Sequence, residues 1–516
     1  MKRKIINHFA ATLLVLLFFS PGCTKDFEEI NTNPNSPSIA QAAPGMLLTQ
    51  AIESMTNRVH EIFLGHEMGS CWVQHMAKVQ YPDEDRYVPR MSVINNTWTS
   101  FYSASGYDIQ NVYNIGIKTN NTSYQAVALI MKSYIVSVLT DEFGDVPYTE
   151  AFLGSDVKPI LSPKYDTQES IYAALLANLD EANTLLEGTS SKISGDILYA
   201  NDLKLWKKFA NTLRLRILMR RSDRVAPTAD ITAIVSDPAT YPIFTSNADN
   251  AALKYLGSAP NNNPINENRK TRDDHRVSKT LIDLMYTNNP YVDWRVTVYA
   301  NPAADSKDYV GLPNGMTSTA AANYLGNGLS QTSKIGNYFS AADAPGMLMS
   351  YSELQFILAE AVQRNFLTSA LTAQAYYTEG IAASYKQYGD QIIAYSKAQF
   401  GAPTVPTTWT TIDPFIANYM ANYGAWSTTN PLKKIYIEKW IAMFDQGLQS
   451  KFEWNRTNTP NLVPAVSGQN GGKIPVRAYY PSDESGRNPT NLAEAIARQG
   501  ADDLNTRVWW DVQNNY

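Results

Sequence analysis

Between Leu354 and Val362 the apolar residues fall three and four apart. Leu354, Ile357, Leu358, Ala361 and Val362 therefore share one face of a helix. Ser350 with Glu353 three residues on reads as a capping box, hydroxyl and carboxylate each meeting a backbone N–H at the helix start. Asn365 closes this helix, and a second pattern runs from about Ser369 through Leu371, Ala375 and Ile381 to Tyr385. Small residues at the contacts (Ala359, Ala361, Ala375, Gly380) suit two antiparallel helices, the unit of a tetratricopeptide-like repeat. One such pair cannot bury its apolar face alone, so more helices must stack on it.

Helical patterns fill much of the chain. Residues 46–79 and 95–117 are long segments with mixed faces, predicted helical. Val127, Ile130, Met131, Tyr134, Ile135 and Val138 make a clean stripe over 124–139. That stripe stops at the turn Asp141-Glu142-Phe143-Gly144-Asp145-Val146-Pro147-Tyr148, which Gly144 and Pro147 make impassable for a helix. Asp166 with Glu169 predicts the next helix start, lined by Ile171, Leu175, Leu179 and Leu185. Leu203, Trp206, Ala210, Leu213 and Ile217 define another. Residues 227–345, 399–431 and 460–516 lack sustained periodicity, and Asn261-Asn262-Asn263-Pro264 stands in the middle of the first. Connections of that length are functional loops or small lobes. The expected fold class is all-α in bulk. A helical scaffold occupies about 41–226, 346–398 and 432–459 of a single domain over 41–516, and a loop-rich, ligand-binding lobe takes the rest.

The N-terminus changes the picture. Lys2, Arg3 and Lys4 precede an apolar run from Phe9 to Phe19, too short to span a membrane and shaped like a secretory core. It ends Ser20-Pro21-Gly22-Cys23, where a small residue before cysteine resembles a lipobox, although Pro21 departs from the usual residue there. Residues 1–22 are expected to be a lipoprotein signal peptide, Cys23 the acylated residue, and 23–40 a tether rich in Asn, Pro and Ser. Cys71 is then the only other cysteine, so packing and not a disulfide must stabilise the fold. No later apolar run reaches membrane-spanning length.

Charge and chemistry narrow the function. A net charge of −5, from 43 basic and 48 acidic residues, argues against a nucleic-acid partner. His60, His66, Cys71 and His75 gather possible metal ligands, yet they lack a paired motif, and a satisfied polar or core cluster is the better reading. No cofactor or metal is expected. Asp83-Glu84-Asp85 lacks the spacing of a calcium loop and reads as a solvated acidic turn. No Gly-x-Ser-x-Gly or phosphate-binding loop stands out, so catalysis is not expected. Aromatic residues say more: 10 Trp, 31 Tyr and 17 Phe. Sugar rings stack their C–H faces on flat side chains while polar neighbours bond the hydroxyls, and peptides use similar surfaces. Trp206, Trp440 and Trp454 lie in helical motifs and are expected in the core. Candidates for a binding platform are Trp72, Tyr81, Tyr87, Trp98, Tyr291, Trp294 and Tyr324, with Arg86, Asn95, Asn96, Asp293 and Arg295 as polar neighbours.

Several stretches together resemble the SusD/RagB-like lipoproteins, in the branch of shorter SusD-like relatives. They are the 350–361 helix, Gly144-Asp145-Val146-Pro147-Tyr148, Trp206-Lys207-Lys208-Phe209-Ala210-Asn211-Thr212-Leu213-Arg214-Leu215-Arg216 and Ile435-Tyr436-Ile437-Glu438-Lys439-Trp440. Glu453-Trp454-Asn455-Arg456, Ile474-Pro475-Val476-Arg477 and Val508-Trp509-Trp510-Asp511 extend the resemblance almost to the end of the chain. Lys25 followed by acids resembles the surface-export signal of such lipoproteins. The resemblance implies a non-enzymatic, outer-membrane, outward-facing lipoprotein. Such a protein captures oligosaccharides or peptides and delivers them to a SusC-like TonB-dependent transporter. It carries over no ligand residues, which the family does not keep at fixed motif positions. Two other classes stay open: a lipid-anchored glycosidase, needing two carboxylates about 5–10 Å apart in a cleft, and a helical-repeat scaffold for protein assembly.

Overall fold

The computed structural model describes residues 43–154, 158–188, 191–288, 291–398, 406 and 408–512, and Pro44–His60 (α1) is the first helix among these described residues. The expected signal peptide over 1–22, the anchor Cys23 and the tether over 23–40 lie outside the described residues. Met91–Thr99 (α2), Tyr107–Lys118 (α3), Thr122–Phe143 (α4), Gln168–Leu185 (α5) and Leu203–Arg220 (α6) follow α1. Tyr351–Gln363 (α7), Ala373–Gln387 (α8), Pro431–Ala442 (α9), Gly447–Thr457 (α10) and Pro489–Gln499 (α11) come later, with shorter helices between. Helix α3 lies on α4, α5 on α6 and α7 on α8, while α4 on α5 and α6 on α7 join one pair to the next. Each pair thus covers the apolar face its neighbour leaves open, the stacking expected of tetratricopeptide-like units. The fold is mainly α.

Helix α4 sits deepest: every residue from Ser123 to Phe143 except Lys132 is buried, as suits a helix wrapped on all sides. The α7–α8 joint shows how close two helices can come. A Cβ on Gly380 would lie 2.8 Å from the Phe356 ring, and Ser352 Oγ donates to the Gly380 carbonyl at 2.7 Å. Ser350 Oγ accepts the Glu353 N–H at 3.1 Å, as the capping box requires. The return half of the box is missing. The Glu353 carboxylate instead accepts from Arg216 Nε and Nη2 on α6, at 2.7 and 2.6 Å, tying two helix pairs together. Asn365 ends α7 with φ 59, the left-handed stop that asparagine tolerates. Leu358 is 2 % exposed between these helices. Leu358→Ala is expected to cost about 2–5 kcal/mol in chemical denaturation, because the rigid joint cannot collapse onto the space. A loss below about 0.5 kcal/mol, the surface-site range, would contradict this packing.

Elsewhere the structure departs from the pattern. The segment 46–79 is not one helix: α1 stops at His60, Ile62–Ser70 continues in wider π-helical turns, and Met76–Lys78 (β1) is a strand. Gln74, with φ 60, turns the chain out of helical conformation just before that strand. Helix α5 is capped by Thr167, whose hydroxyl accepts the Ser170 N–H at 3.3 Å. Asp166 accepts instead from the backbone of Tyr148 and Thr149 at 2.9 and 2.8 Å, closing the turn after α4. Val146–Pro147 (β2) and Tyr165–Asp166 (β3) pair there. The two further strand pairs join the aperiodic region to the helices. In one, Ala251–Leu253 (β4) meets Gly346–Met349 (β6); in the other, β1 meets His275–Val277 (β5). The region 460–516 was read as lacking sustained periodicity, yet it holds α11, which buries Leu492 and Ala495. Leu492, Ala495 and Ile496 stand at helical spacing there, a stripe that the sequence reading missed.

Candidate functional site

The antiparallel register of β1 and β5 sets Met76 against Val277, Ala77 against Arg276 and Lys78 against His275. One more bond, Val79 N–H to the Asp274 carbonyl at 2.8 Å, carries the chain to the edge of this ribbon. It then turns at Tyr81, with φ 47, and again at Tyr87, with φ 70. Left-handed backbone is costly for residues of this size, and such positions cluster where a side chain must be aimed. Tyr81 is 62 % exposed, so nothing in the core explains the cost. The Arg272 guanidinium stands 5.0 Å from the Tyr81 ring centre, covering one face and leaving a ring held by cation–π contact.

The loop beneath is pinned from inside. Lys78 Nζ donates to Glu67 and Glu84 at 2.6 and 2.7 Å, and the Arg90 guanidinium bonds the same two carboxylates. Asp85 accepts from Asn314 Nδ2, Gly315 N–H and Lys78 N–H at 2.7, 2.8 and 3.1 Å. Burial pushes the Asp85 carboxyl up to about 6, and the bonds from Gly315 and Asn314 pull against that rise. Glu84 and Asp85 are therefore struts, which corrects the expectation of a solvated acidic turn; only Asp83 faces water. Ala77, Val79, Leu312 and Ala321 form a small separate core under this edge, and Tyr324 packs against it. Tyr324 is half-buried, and the next residue, Leu325, also has positive φ and is exposed. Arg86 Nε donates to the Ser467 carbonyl at 3.1 Å, which brings the 460–473 loop alongside with Val463 and Val466 exposed.

The remaining candidates go elsewhere. Trp72 is fully buried and donates from Nε1 to the Glu84 carbonyl at 2.9 Å. Tyr87 is buried, its hydroxyl accepting the Ala465 N–H at 2.8 Å. Asp293 and Arg295 are fully buried and face one another with Glu438, while Trp294 packs edge-on against Trp409 and Phe415. Trp98 is 9 % exposed among Tyr102, Phe143, Tyr165 and Tyr480, though it lines a cleft of about 500 Å³ with Tyr102, Tyr107 and Phe152. Asn95 Nδ2 donates to Ser482 Oγ at 2.9 Å, and Asn96 is exposed beside it. Tyr291 is 46 % exposed. The platform as read from the sequence is thus split: Tyr81 is exposed just beyond the β1–β5 ribbon, Tyr324 packs on the small core under that ribbon, and Trp98 and Asn95 lie on α2. Arg272, the partner of Tyr81, was missed. It reaches the ring only through the β1–β5 pairing, for which the sequence offers no local sign.

The possible metal ligands do not converge, and among the described residues no group of three His, Cys, Asp or Glu is arranged to hold an ion. Cys71 is buried, with its thiol pushed up by burial, and His75 Nε2 meets the Trp440 carbonyl at 3.0 Å. His60 and His66 flank the buried Asp445 at 3.8 and 3.9 Å, and burial holds the two imidazoles down at about 4 and 3. Among the described residues, no helix is long and apolar enough to cross a membrane.

Comparison with known proteins agrees with this architecture. A solved chitin-binding protein is 28% identical with a TM-score of 0.76, over 91% of this chain and all (100%) of its own. A SusD homologue from Bacteroides fragilis is 26% identical with a TM-score of 0.73, covering 92% of this chain and 100% of its own. A chitin-binding SusD homologue from Flavobacterium johnsoniae shares the fold at 23% identity and TM-score 0.71, covering 91% and 100%. The curated proteins give no match. The profile of the SusD-like family, described as starch-binding and associating with outer membrane, matches residues 34–481. Ordered helix pairs, lobe and sequence profile lead to one conclusion: the chain belongs to the SusD-like family.

Proposed function

We propose that this protein captures oligosaccharides at the outer surface of the outer membrane and passes them to a SusC-like TonB-dependent transporter. Cys23 would carry the lipid anchor. The observation that carries the reading is the exposed Tyr81 ring on strained backbone, braced by Arg272. A sugar stacks its C–H face on such a ring, gaining dispersion and apolar contact, and polar groups of the same loop would bond its hydroxyls. The family's starch-binding description and the chitin-binding relatives favour a glycan over a peptide as cargo. Binding is passive: the ligand leaves chemically unchanged.

Two measurements test this. Calorimetric titration with starch- and chitin-derived oligosaccharides, followed by product analysis, should give saturable binding and intact ligand; cleavage products would sink the capture reading. Cys23→Ala should release the protein from the membrane fraction or leave its precursor uncleaved. Unchanged retention, with palmitate label still incorporated, would exclude Cys23 as the anchor.

A further inference from the structure

Helix α1 presents a second polar surface away from Tyr81. Gln50, Glu53, Ser54, Asn57 and Arg58 recur three and four apart on one face, and Glu61 follows in register just beyond the helix. Opposite them run Pro260, Asn262, Pro264, Glu267 and Asn268, the asparagine-rich stretch that stood out in the sequence. Between the two walls lies a cleft of about 440 Å³, and a further 340 Å³ adjoins it past Gln50 and Glu53. That is the size of a small-ligand site.

The walls carry more acceptors than donors. Asn262 is 5 % exposed; its Nδ2 donates to Asn266 Oδ1 at 2.9 Å and to Glu267 Oε2 at 3.0 Å. Those two acceptors fix the amide's orientation, and Asn262 Oδ1 is left with no hydrogen bond. Asn57 is held the same way, with Nδ2 donating to Glu53 Oε1 and Oδ1 unpartnered. Buried acceptors are normally satisfied, so two in one cleft want a donor from outside. The charge is also unbalanced. Arg58 is engaged with Glu61 and Ser100, and Lys270 with Glu267. Glu53 has no such cation: burial raises its carboxyl, opposed only by the Asn57 amide. Lys254 lines the adjoining cleft, and it is not among the groups that act on the Glu53 carboxyl.

We propose that this cleft is a second binding site, for a primary ammonium carried on a hydroxyl-rich ligand, an amino sugar. The ammonium supplies the positive charge that Glu53 lacks and a donor for the Asn57 Oδ1 beside it, while a second donor of the ligand meets Asn262 Oδ1 on the other wall. Ser54, Ser100 and Gln50 meet the hydroxyls. The site uses none of the residues of the Tyr81 edge, so it stands or falls apart from that reading.

The test is a calorimetric titration with three oligosaccharides of one backbone, bearing an amine (chitosan), an acetamide (chitin) or a hydroxyl (cellulose) at the same carbon. Each is measured on the full chain and on Tyr81→Gly, which removes the other edge. The amine form should bind about tenfold or more tighter than the hydroxyl form in both proteins. That preference should fade as pH rises through the amine's pKa, and Glu53→Gln should abolish it. Equal affinity for the three ligands, a preference surviving in Glu53→Gln, or its loss in Tyr81→Gly would each overturn the proposal.

Discussion

Arg295→Met is expected to cost about 3–5 kcal/mol, because it leaves two carboxylates buried without their cation. Arg295 is fully buried and donates to Asp293 from Nε at 2.9 Å and from Nη2 at 2.6 Å, and to Glu438 from Nη2 at 2.8 Å. Ser384 accepts its Nη1 at 3.0 Å, while Tyr385 and Tyr419 hydroxyls donate to Asp293 and Glu438 at 2.9 and 2.6 Å. The carboxylates hold the guanidinium well above its ordinary pKa, against the cost of burial. Asp293 and Arg295 come from the aperiodic lobe, Ser384 and Tyr385 from α8, and Glu438 from α9, so this cluster clamps lobe to scaffold. Equilibrium denaturation near neutral pH reads the loss. In Arg295→Met, either orphaned carboxylate relaxes by taking a proton, so the deficit should shrink as pH falls. Adding Glu438→Gln should recover part of it, a coupling of about 0.5–3 kcal/mol. A deficit under about 1 kcal/mol, or one indifferent to pH, would mean that the cluster is open to water.

Trp98→Ala is expected to lower stability by about 3–5 kcal/mol and to leave affinity per folded molecule unchanged. Its ring centre lies 4.9 Å from Tyr102, 5.3 Å from Phe143, 6.0 Å from Tyr165 and 6.4 Å from Tyr480. Phe143 ends α4, Tyr165 lies on β3 and Tyr480 comes from the C-terminal region, so the indole joins three distant parts of the chain. Melting temperature together with calorimetric titration separates the alternatives. An unchanged melting temperature with lost affinity would instead make Trp98 a stacking wall of the cleft it lines with Tyr102 and Phe152.

These two side chains show what a sequence can and cannot disclose. Periodicity tells which face of a helix is apolar, and the stripes of α4 and α7 accordingly meet the core. It does not tell which distant segment covers a residue in an irregular region. Asp293 and Arg295 read as polar neighbours of a ligand because nothing local announces Glu438, brought from another helix. Glu353 reads as half of a capping box, yet Arg216 on α6 offers its carboxylate a bidentate partner worth more than a backbone N–H. Tyr81 was legible only as an aromatic in a loop. Its positive φ, its exposure and its pairing with Arg272 all depend on how β1 leaves the ribbon it forms with β5.

Tyr81→Gly tests most directly whether Tyr81 is strained in order to hold a sugar. Glycine accepts φ 47 without strain, so the variant sheds a cost of about 1 kcal/mol, offset by the greater freedom of its unfolded chain. Stability should therefore be unchanged or raised. Removing the ring takes away the stacking face, and affinity for the cargo oligosaccharide should fall by about tenfold or more. Calorimetric titration of wild type and variant, with melting temperatures taken on the same samples, gives both quantities. Lost affinity at undiminished stability is the predicted result; undiminished affinity would contradict the assignment of this edge as the capture site.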